Sequence, residues 1–252
     1  MNFFTLIILS FAGFMAGLLD SIAGGGGIIS LPALLAMNVP PHIALGTNKF
    51  QATFGTSVAL INYGRKFHVV WKVVLVGIPF SLIGSVIGAK TALIISPAIL
   101  AKIIVGCLPI VLLFLIFSKE LRKPKGRELK YDLKFWVMIS ITCLIIGTYD
   151  GFLGPGTGTF LIIALVIFSH MSVVKASATA KTFNLASNVG SLVPFLMAGK
   201  VNFTYAAAMA LGNLLGGYTG SHLAMKHGGR FVKRVVFIAL TLLFIYLIWK
   251  YY

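Results

Sequence analysis

Long stretches of this chain contain no charged side chain, and this feature restricts the fold more than any other. Neither Lys, Arg, Asp nor Glu occurs in residues 103–118, 135–149, 182–199 and 201–225. These stretches consist mainly of Leu, Ile, Val, Phe, Ala and Gly, and a helix needs about 20 such residues to cross the hydrocarbon core of a bilayer. The sequence therefore predicts an all-α integral membrane protein that crosses the bilayer several times.

The overall composition supports a membrane protein and argues against other classes. Only 10% of the residues are charged and 58% are hydrophobic, whereas a soluble domain carries about 25% charged residues. The net charge is +16, and the basic residues lie between the apolar stretches. Basic residues at such positions orient membrane helices, so we expect no nucleic-acid partner. Cys107, Cys143 and the five histidines form no ligand motif, so we expect no metal or other cofactor.

Ten apolar segments are arranged as five on each side of a basic linker, residues 118–134. We therefore divide the chain into a first membrane repeat, 1–117, that linker, and a second repeat, 135–252. Segments 28–37 and 157–169 are short for a full crossing. The segments are 3–19, 28–37, 44–63, 73–94, 98–117, 135–149, 157–169, 174–197, 202–225 and 232–250.

The two halves share ordered motifs, which indicates an internal repeat. An Asp followed by a glycine-rich stretch occurs in each half, at Asp20 and at Asp150. The motif ALGTNKF (44–50) has its counterpart in ASATAKTF (176–183), 132 positions later. Two further glycine pairs keep the same offset, Gly84 with Gly88 and Gly216 with Gly220.

Equivalent loops of the two repeats carry opposite charge bias, which predicts inverted repeats. The loop at 65–72 is basic, whereas its counterpart contains only Lys200. One loop later the bias is reversed, with Lys90 in the first half against a basic stretch at 226–234. Because basic loops stay cytoplasmic, we predict an inner-membrane protein with a cytoplasmic linker and both termini outside. No basic residue precedes Lys49, so we expect the first segment not to be a cleaved signal peptide.

Two of the five acidic residues, Asp20 and Asp150, lie outside the linker, in apolar surroundings at equivalent positions. Placing a charge at the centre of a bilayer costs at least about 2.5 kcal/mol, so each carboxylate needs a reason to be there. One interpretation is a gating or proton-coupling carboxylate. The alternative is an ion pair or helix cap that holds the neighbouring glycine-rich stretch in place.

Glycine-rich stretches at 21–32 and 151–160 predict a break in the helix near the midplane of the bilayer in each repeat, because Gly and Pro disfavour a continuous helix. A new helix is expected to begin near Ile28 and near Thr157, and the free N–H groups of such ends bind anions. Close packing of helices through small residues is the alternative. The candidate anion-binding residues at the breaks are Gly25, Gly26, Gly27, Gly156 and Thr157.

Lys49 and Lys181 lie in apolar stretches, each beside hydroxyl residues. Such a lysine either snorkels to the headgroups or faces a polar cavity, where its three N–H donors suit an oxyanion. Thr47 and Asn48 are expected to cap a helix start. Pairing of Asp20 with Lys49 and of Asp150 with Lys181 would balance the charges. The candidate substrate-binding residues here are Thr47, Asn48, Lys49, Thr179, Lys181 and Asn184.

Two long pieces of the sequence resemble one known family. GFMAGLLDSIAGGGGIISLPALL and PPHIALGTNKFQATFGT resemble the opening of the sulfite exporter TauE/SafE family of bacterial inner-membrane permeases, and the second half resembles the second copy. The resemblance implies a secondary transporter of small sulfur-containing anions or related organic acids, with Thr47, Asn48, Lys49, Thr179 and Lys181 near the substrate path. The second copy has Ala180 where the first has Asn48, so Asn48 has no partner there.

The function expected from these features is secondary transport of a small anion by alternating access, and the resemblance implies export as its direction. A membrane-embedded enzyme is less well supported because no nucleophile–base or metal motif is found. A passive anion channel stays open as an alternative. Beyond the small anion and the lipid bilayer, the sequence is compatible with a homo-oligomer.

Overall fold

The structure is a computed structural model that describes residues 3–66, 69–117 and 131–227. These parts of the chain form nine α-helices and no strand. The helices are α1 (Phe3–Ala23), α2 (Gly27–Ala36), α3 (Pro41–Lys66), α4 (Trp71–Ile94), α5 (Pro97–Phe117), α6 (Leu133–Phe152), α7 (Thr157–Ser169), α8 (Val173–Met197) and α9 (Phe203–His227). Among them α1, α4 and α6 are long and apolar enough to cross a membrane by length and composition. Segment 232–250 and most of the linker lie outside the described residues.

The first nine predicted segments correspond one to one with these helices, which confirms the all-α class. Both glycine-rich breaks are present, and new helices begin at Gly27 and Thr157 as expected. The expectation that Thr47 and Asn48 cap a helix start is wrong, because α3 already begins at Pro41. Proline suits the first helical position, where its missing N–H would have had no partner.

The packing of the helices repeats between the two halves of the chain. Helix α1 packs against α9 as α6 packs against α4, and α3 packs against α9 as α8 packs against α4. Helices α4 and α9 are therefore exchanged between the repeats. We call α1, α2, α3 and α9 the first bundle and α4, α6, α7 and α8 the second bundle. Contact between α3 and α8 joins the two bundles.

Small residues allow the exchanged helices to approach their partners closely, which is how membrane helices without a hydrophobic driving force associate. A Cβ atom at Gly88 of α4 would collide with the carbonyl oxygen of Thr148 in α6. The equivalent Gly220 of α9 lies against the main chain of Leu18 in α1. A Cβ atom at Gly220 would be 2.7 Å from the carbonyl oxygen of Leu18. The glycine pairs found in the sequence thus lie at the helix exchange.

Helices α3 and α8 run in opposite directions, so the repeats are inverted as the loop charges predicted. The Oγ1 of Thr47, near the start of α3, accepts a hydrogen bond of 3.1 Å from Asn202 N, which follows the end of α8. The Oγ1 of Thr179, near the start of α8, accepts one of 3.3 Å from Val70 N, just beyond the end of α3. Each helix therefore begins where its counterpart ends.

Candidate functional site

Two ion pairs lie between the bundles, and three of their four side chains are buried, whereas Asp20 is 15% exposed. The Nζ of Lys49 in α3 is 2.9 Å from Oδ2 of Asp150 in α6, and the Nζ of Lys181 in α8 is 2.7 Å from Oδ2 of Asp20 in α1. The predicted pairing of Asp20 with Lys49 and of Asp150 with Lys181 is therefore wrong. Each pair joins the two repeats, because each lysine faces the broken helix of the other bundle.

Both lysine side chains are enclosed by protein. Lys49 is 1% and Lys181 2% exposed, so neither snorkels to the surface of the molecule. A buried ion removed from water costs several kcal/mol unless a partner compensates for it. The two aspartates supply those partners, and the four charges sum to zero.

The two ion pairs differ in their hydrogen bonding. Lys181 donates to Oδ2 of Asp20 at 2.7 Å and to the main-chain oxygen of the same residue at 2.5 Å. Lys49 lies close to Oδ2 of Asp150, but that oxygen receives no hydrogen bond of acceptable geometry within the described residues. The other oxygen of Asp150 accepts a 2.7 Å bond from Thr157. The Lys49 contact is thus mainly an attraction between charges.

A small polar cavity of about 20 Å³ lies beside the ion pairs. This volume holds about one water molecule. Both repeats contribute to its wall, which consists almost entirely of glycines, carboxamides, hydroxyls and charged groups. The lining residues are Asp20, Gly24, Gly26, Gly27, Asn48, Lys49, Gln51, Ala52, Thr56, Asp150, Gly154, Thr157, Gly158, Asn184, Asn188 and Asn213.

The short helices α2 and α7 present their N-terminal ends at this cavity. Neither end is capped by the side chain of its N-cap residue, in contrast to α6, where Asp132 accepts a hydrogen bond from Phe135 N. In the described residues the N–H groups of Gly26, Gly27 and Gly158 form no hydrogen bond. These donors carry the positive end of a helix dipole and are available to a ligand.

Close packing also occurs at the glycine breaks, and the closely packed glycines lie in the wall of the cavity. The main chain of Gly24 crosses that of Gly158, and Thr159 N donates to Gly24 O at 3.1 Å. This crossing holds the two breaks together, and all four glycines, Gly24, Gly26, Gly27 and Gly158, line the cavity.

A chain of carboxamides extends from the cavity through the first bundle. Oδ1 of Asn48 accepts hydrogen bonds from Ser30 at 2.5 Å and from Gln51 at 2.9 Å, and Gln51 accepts one from Asn213. Asn213 of α9 was missed by the sequence analysis. The only signal was an isolated carboxamide within the uncharged run 201–225, and its place at the site depends on the helix exchange.

The structure brings most, but not all, of the predicted site residues to the cavity. Asp20, Asn48, Lys49, Asp150, Thr157 and Asn184 line it, together with Gly26 and Gly27. Five predicted residues do not line it in the described structure, and their role in substrate binding stays a prediction. They are Gly25, Thr47, Gly156, Thr179 and Lys181.

Thr47→Val and Thr179→Val are each expected to lower the free energy of unfolding by about 1–3 kcal/mol, because each leaves a backbone N–H without its acceptor. Chemical denaturation of the purified protein in detergent measures the change. Thr53→Val is the control, since the Thr53 hydroxyl bonds only to Lys49 O of its own helix, and should change stability little. Wild-type stability with lost anion binding in Thr47→Val would show a direct substrate role instead.

The fold and the site define a multi-pass helical membrane protein with two inverted repeats that share a buried, charge-balanced polar centre. The chain belongs to the Sulfite exporter TauE/SafE family, which it matches over residues 9–247. The family and the names of its relatives, which are probable membrane transporter proteins, support a membrane transporter.

Several probable membrane transporter proteins are similar to this chain along almost its whole length. ORF9 from Sinorhizobium sp is 38% identical over 237 residues, covering 94% of this chain and 89% of the relative. A protein from Haemophilus influenzae is 34% identical, with 92% and 90% covered. YfcA from Escherichia coli K12 is 33% identical, with 92% and 85% covered. No solved structure gives a significant match.

Proposed function

We propose that the protein is a secondary transporter of small anions that works by alternating access, with the cavity between the two bundles as its binding site. The observation that carries the proposal is the pair of buried Lys–Asp contacts between the bundles, 2.9 and 2.7 Å long, beside a polar cavity. A permanent structural core would gain as much stability from apolar residues as from buried ion pairs. Charged groups at this place therefore favour a role in transport.

The chemistry of the cavity favours an anion over a cation. Uncapped N-terminal ends of α2 and α7, the ammonium of Lys49 and several carboxamides offer N–H donors to a ligand. Both carboxylates already face a lysine, and no cluster of three or more metal-binding side chains is found in the described residues. The family name suggests sulfite, and we extend the proposed substrates to sulfonates and related organic acids.

The size of the cavity requires the bundles to move. A volume of about 20 Å³ is too small for an anion of several heavy atoms, since one water molecule fills it. The described state therefore has no room for such an anion. Separation of the bundles on one side would break one set of contacts, and Asp20 and Asp150 would act as gating residues. The bundles, rather than the halves of the sequence, are the moving units in this proposal.

The same proposal includes the setting of the protein in the cell. The basic linker 118–134 would face the cytoplasm and both termini would face outward, in a bacterial inner membrane. Export is the direction that the family name favours. Reactivity of single cysteines with a membrane-impermeant thiol reagent, introduced in the linker and near the N-terminus, would test this orientation.

A transported anion is expected to stabilise the purified protein against thermal unfolding. The gain is about 2.7 kcal/mol at a ligand concentration of 100 times Kd. The measurement uses sulfite, sulfate, thiosulfate and methanesulfonate in detergent, with sodium chloride at equal ionic strength as control. Flux of the stabilising anion into proteoliposomes should saturate. Absence of any stabilisation would refute the anion site, and flux that rises linearly without saturation would favour a channel.

A further inference from the structure

The two equivalent lysines have different surroundings, and we infer that they have different tasks. Lys49 contacts the transported anion, whereas Lys181 forms a clasp with Asp20 that joins the bundles. The inference rests on the proposed function, because it divides the roles within the same site. The sequence gives no reason to separate the lysines, since each follows a Thr by two positions in equivalent motifs.

Lys181 is already occupied by its partner. Its Nζ donates to the carboxylate and to the main-chain oxygen of Asp20, at 2.7 and 2.5 Å, so two of its three N–H donors serve one residue. Lys181 is not among the described residues that line the cavity. Moving it to a ligand would break both of these hydrogen bonds and take the counter-charge away from Asp20, which is costly. Lys181 is therefore a positioning residue for Asp20.

Lys49 has donors to spare. It lines the cavity, although its side chain is 1% exposed. It contacts one atom of its partner, Oδ2 of Asp150, at 2.9 Å, whereas Lys181 contacts two atoms of Asp20. The hydroxyl of Thr157 donates a 2.7 Å hydrogen bond to the other oxygen of Asp150, Oδ1, and holds this carboxylate in place. With this single contact among the described residues, the ammonium of Lys49 keeps N–H donors for an anion.

Other free donors reach the same cavity. The side chain of Asn188 is 4% exposed and forms no hydrogen bond within the described part of the chain. The N–H groups of Gly27 and Gly158 are also unpaired there. By contrast, the hydroxyl of Thr56, which is equivalent to Asn188, is directed to Asp20 at 3.4 Å. Ammonium, carboxamide and amide donors together suit the oxygens of a sulfonate, sulfite or carboxylate group.

The test compares two double variants that leave no unpaired charge in the protein interior, Lys49→Gln/Asp150→Asn and Lys181→Gln/Asp20→Asn. Sulfite and methanesulfonate are titrated into each purified protein in detergent, and flux is measured in proteoliposomes. We expect the first variant to bind at least about tenfold more weakly than wild type, because it loses a charged contact. The second should bind within about threefold of wild type and lose at least about tenfold in flux.

Each result decides between the two roles. Equal loss of affinity in both variants, or a larger loss in Lys181→Gln/Asp20→Asn, would overturn the inference, as would unchanged affinity in Lys49→Gln/Asp150→Asn. Wild-type flux in the second variant would contradict the proposed role of the Lys181–Asp20 contact in joining the bundles. If wild-type protein binds none of the anions, the proposed function fails, and this outcome is distinct from equal loss in the variants. Single variants Lys49→Gln and Lys181→Gln, where they fold, provide a second comparison of affinity.

Discussion

Asp150→Ala is expected to lower the free energy of unfolding by about 3–5 kcal/mol, because it leaves the ammonium of Lys49 buried without its counter-charge. Lys49 is 1% exposed and has no second carboxylate within salt-bridge distance among the described residues. Removing both charges in Asp150→Ala/Lys49→Met should recover most of the lost free energy of unfolding, since no unpaired charge remains. Chemical denaturation of the purified proteins in detergent measures all three free energies.

A mismatched double variant provides the control for this cycle. Asp150→Ala/Lys181→Met leaves Lys49 unpaired and also removes the partner of Asp20. It should therefore be less stable than Asp150→Ala alone. Recovery of stability in this variant, with no recovery in Asp150→Ala/Lys49→Met, would show that the charges pair within each repeat and would contradict the pairing between repeats.

Gly24→Ala is expected to destabilise the protein by about 2–5 kcal/mol for two reasons that add. Gly24 has a φ of +80°, and a side chain in this left-handed region costs about 1–2 kcal/mol. A Cβ atom at this position would also meet the main chain of Gly158, at 2.5 Å from its Cα, and overpacking costs about 1–3 kcal/mol. Thermal and chemical unfolding in detergent measure the change.

Gly199→Ala separates the two contributions. Gly199 has a φ of +64°, but among the described residues no atom beyond its chain neighbours lies within 4 Å of the position of a Cβ. Only the cost of the left-handed backbone, about 1–2 kcal/mol, applies there. An equal effect of both substitutions would show that the crossing of Gly24 and Gly158 is not tight. A larger effect at Gly24 supports the crossing that holds the two breaks together.

The sequence predicted those features that depend on neighbouring residues along the chain. Apolar runs gave the helices with ends mostly within a few residues, because length and composition decide whether a segment crosses a bilayer. The breaks before Gly27 and Thr157 followed from local Gly and Pro preferences. The loop charges were sufficient to predict that the two repeats are inverted, and the opposite directions of α3 and α8 confirm this.

Several features of the site could not be predicted because they depend on packing between distant segments. Pairing of Lys49 with Asp150 follows from the contact between the bundles, and the residues near Lys49 in the sequence do not indicate that partner. Asn213 reaches the cavity only because α9 packs in the first bundle. The capping role expected of Thr47 failed for a local reason, since Pro41 begins the helix earlier.

By itself, the sequence determined that this protein is a helical membrane protein with two inverted repeats, each carrying an aspartate, a glycine break and a lysine. These are properties of local composition and periodicity, and each segment must satisfy the requirements of the bilayer by itself. Only the tertiary structure decided that α4 and α9 are exchanged, that each lysine faces the aspartate of the other repeat, and that Lys49 rather than Lys181 lines the cavity. Those outcomes depend on which helices fit closely together, and similar repeats can form different contacts once their neighbours differ.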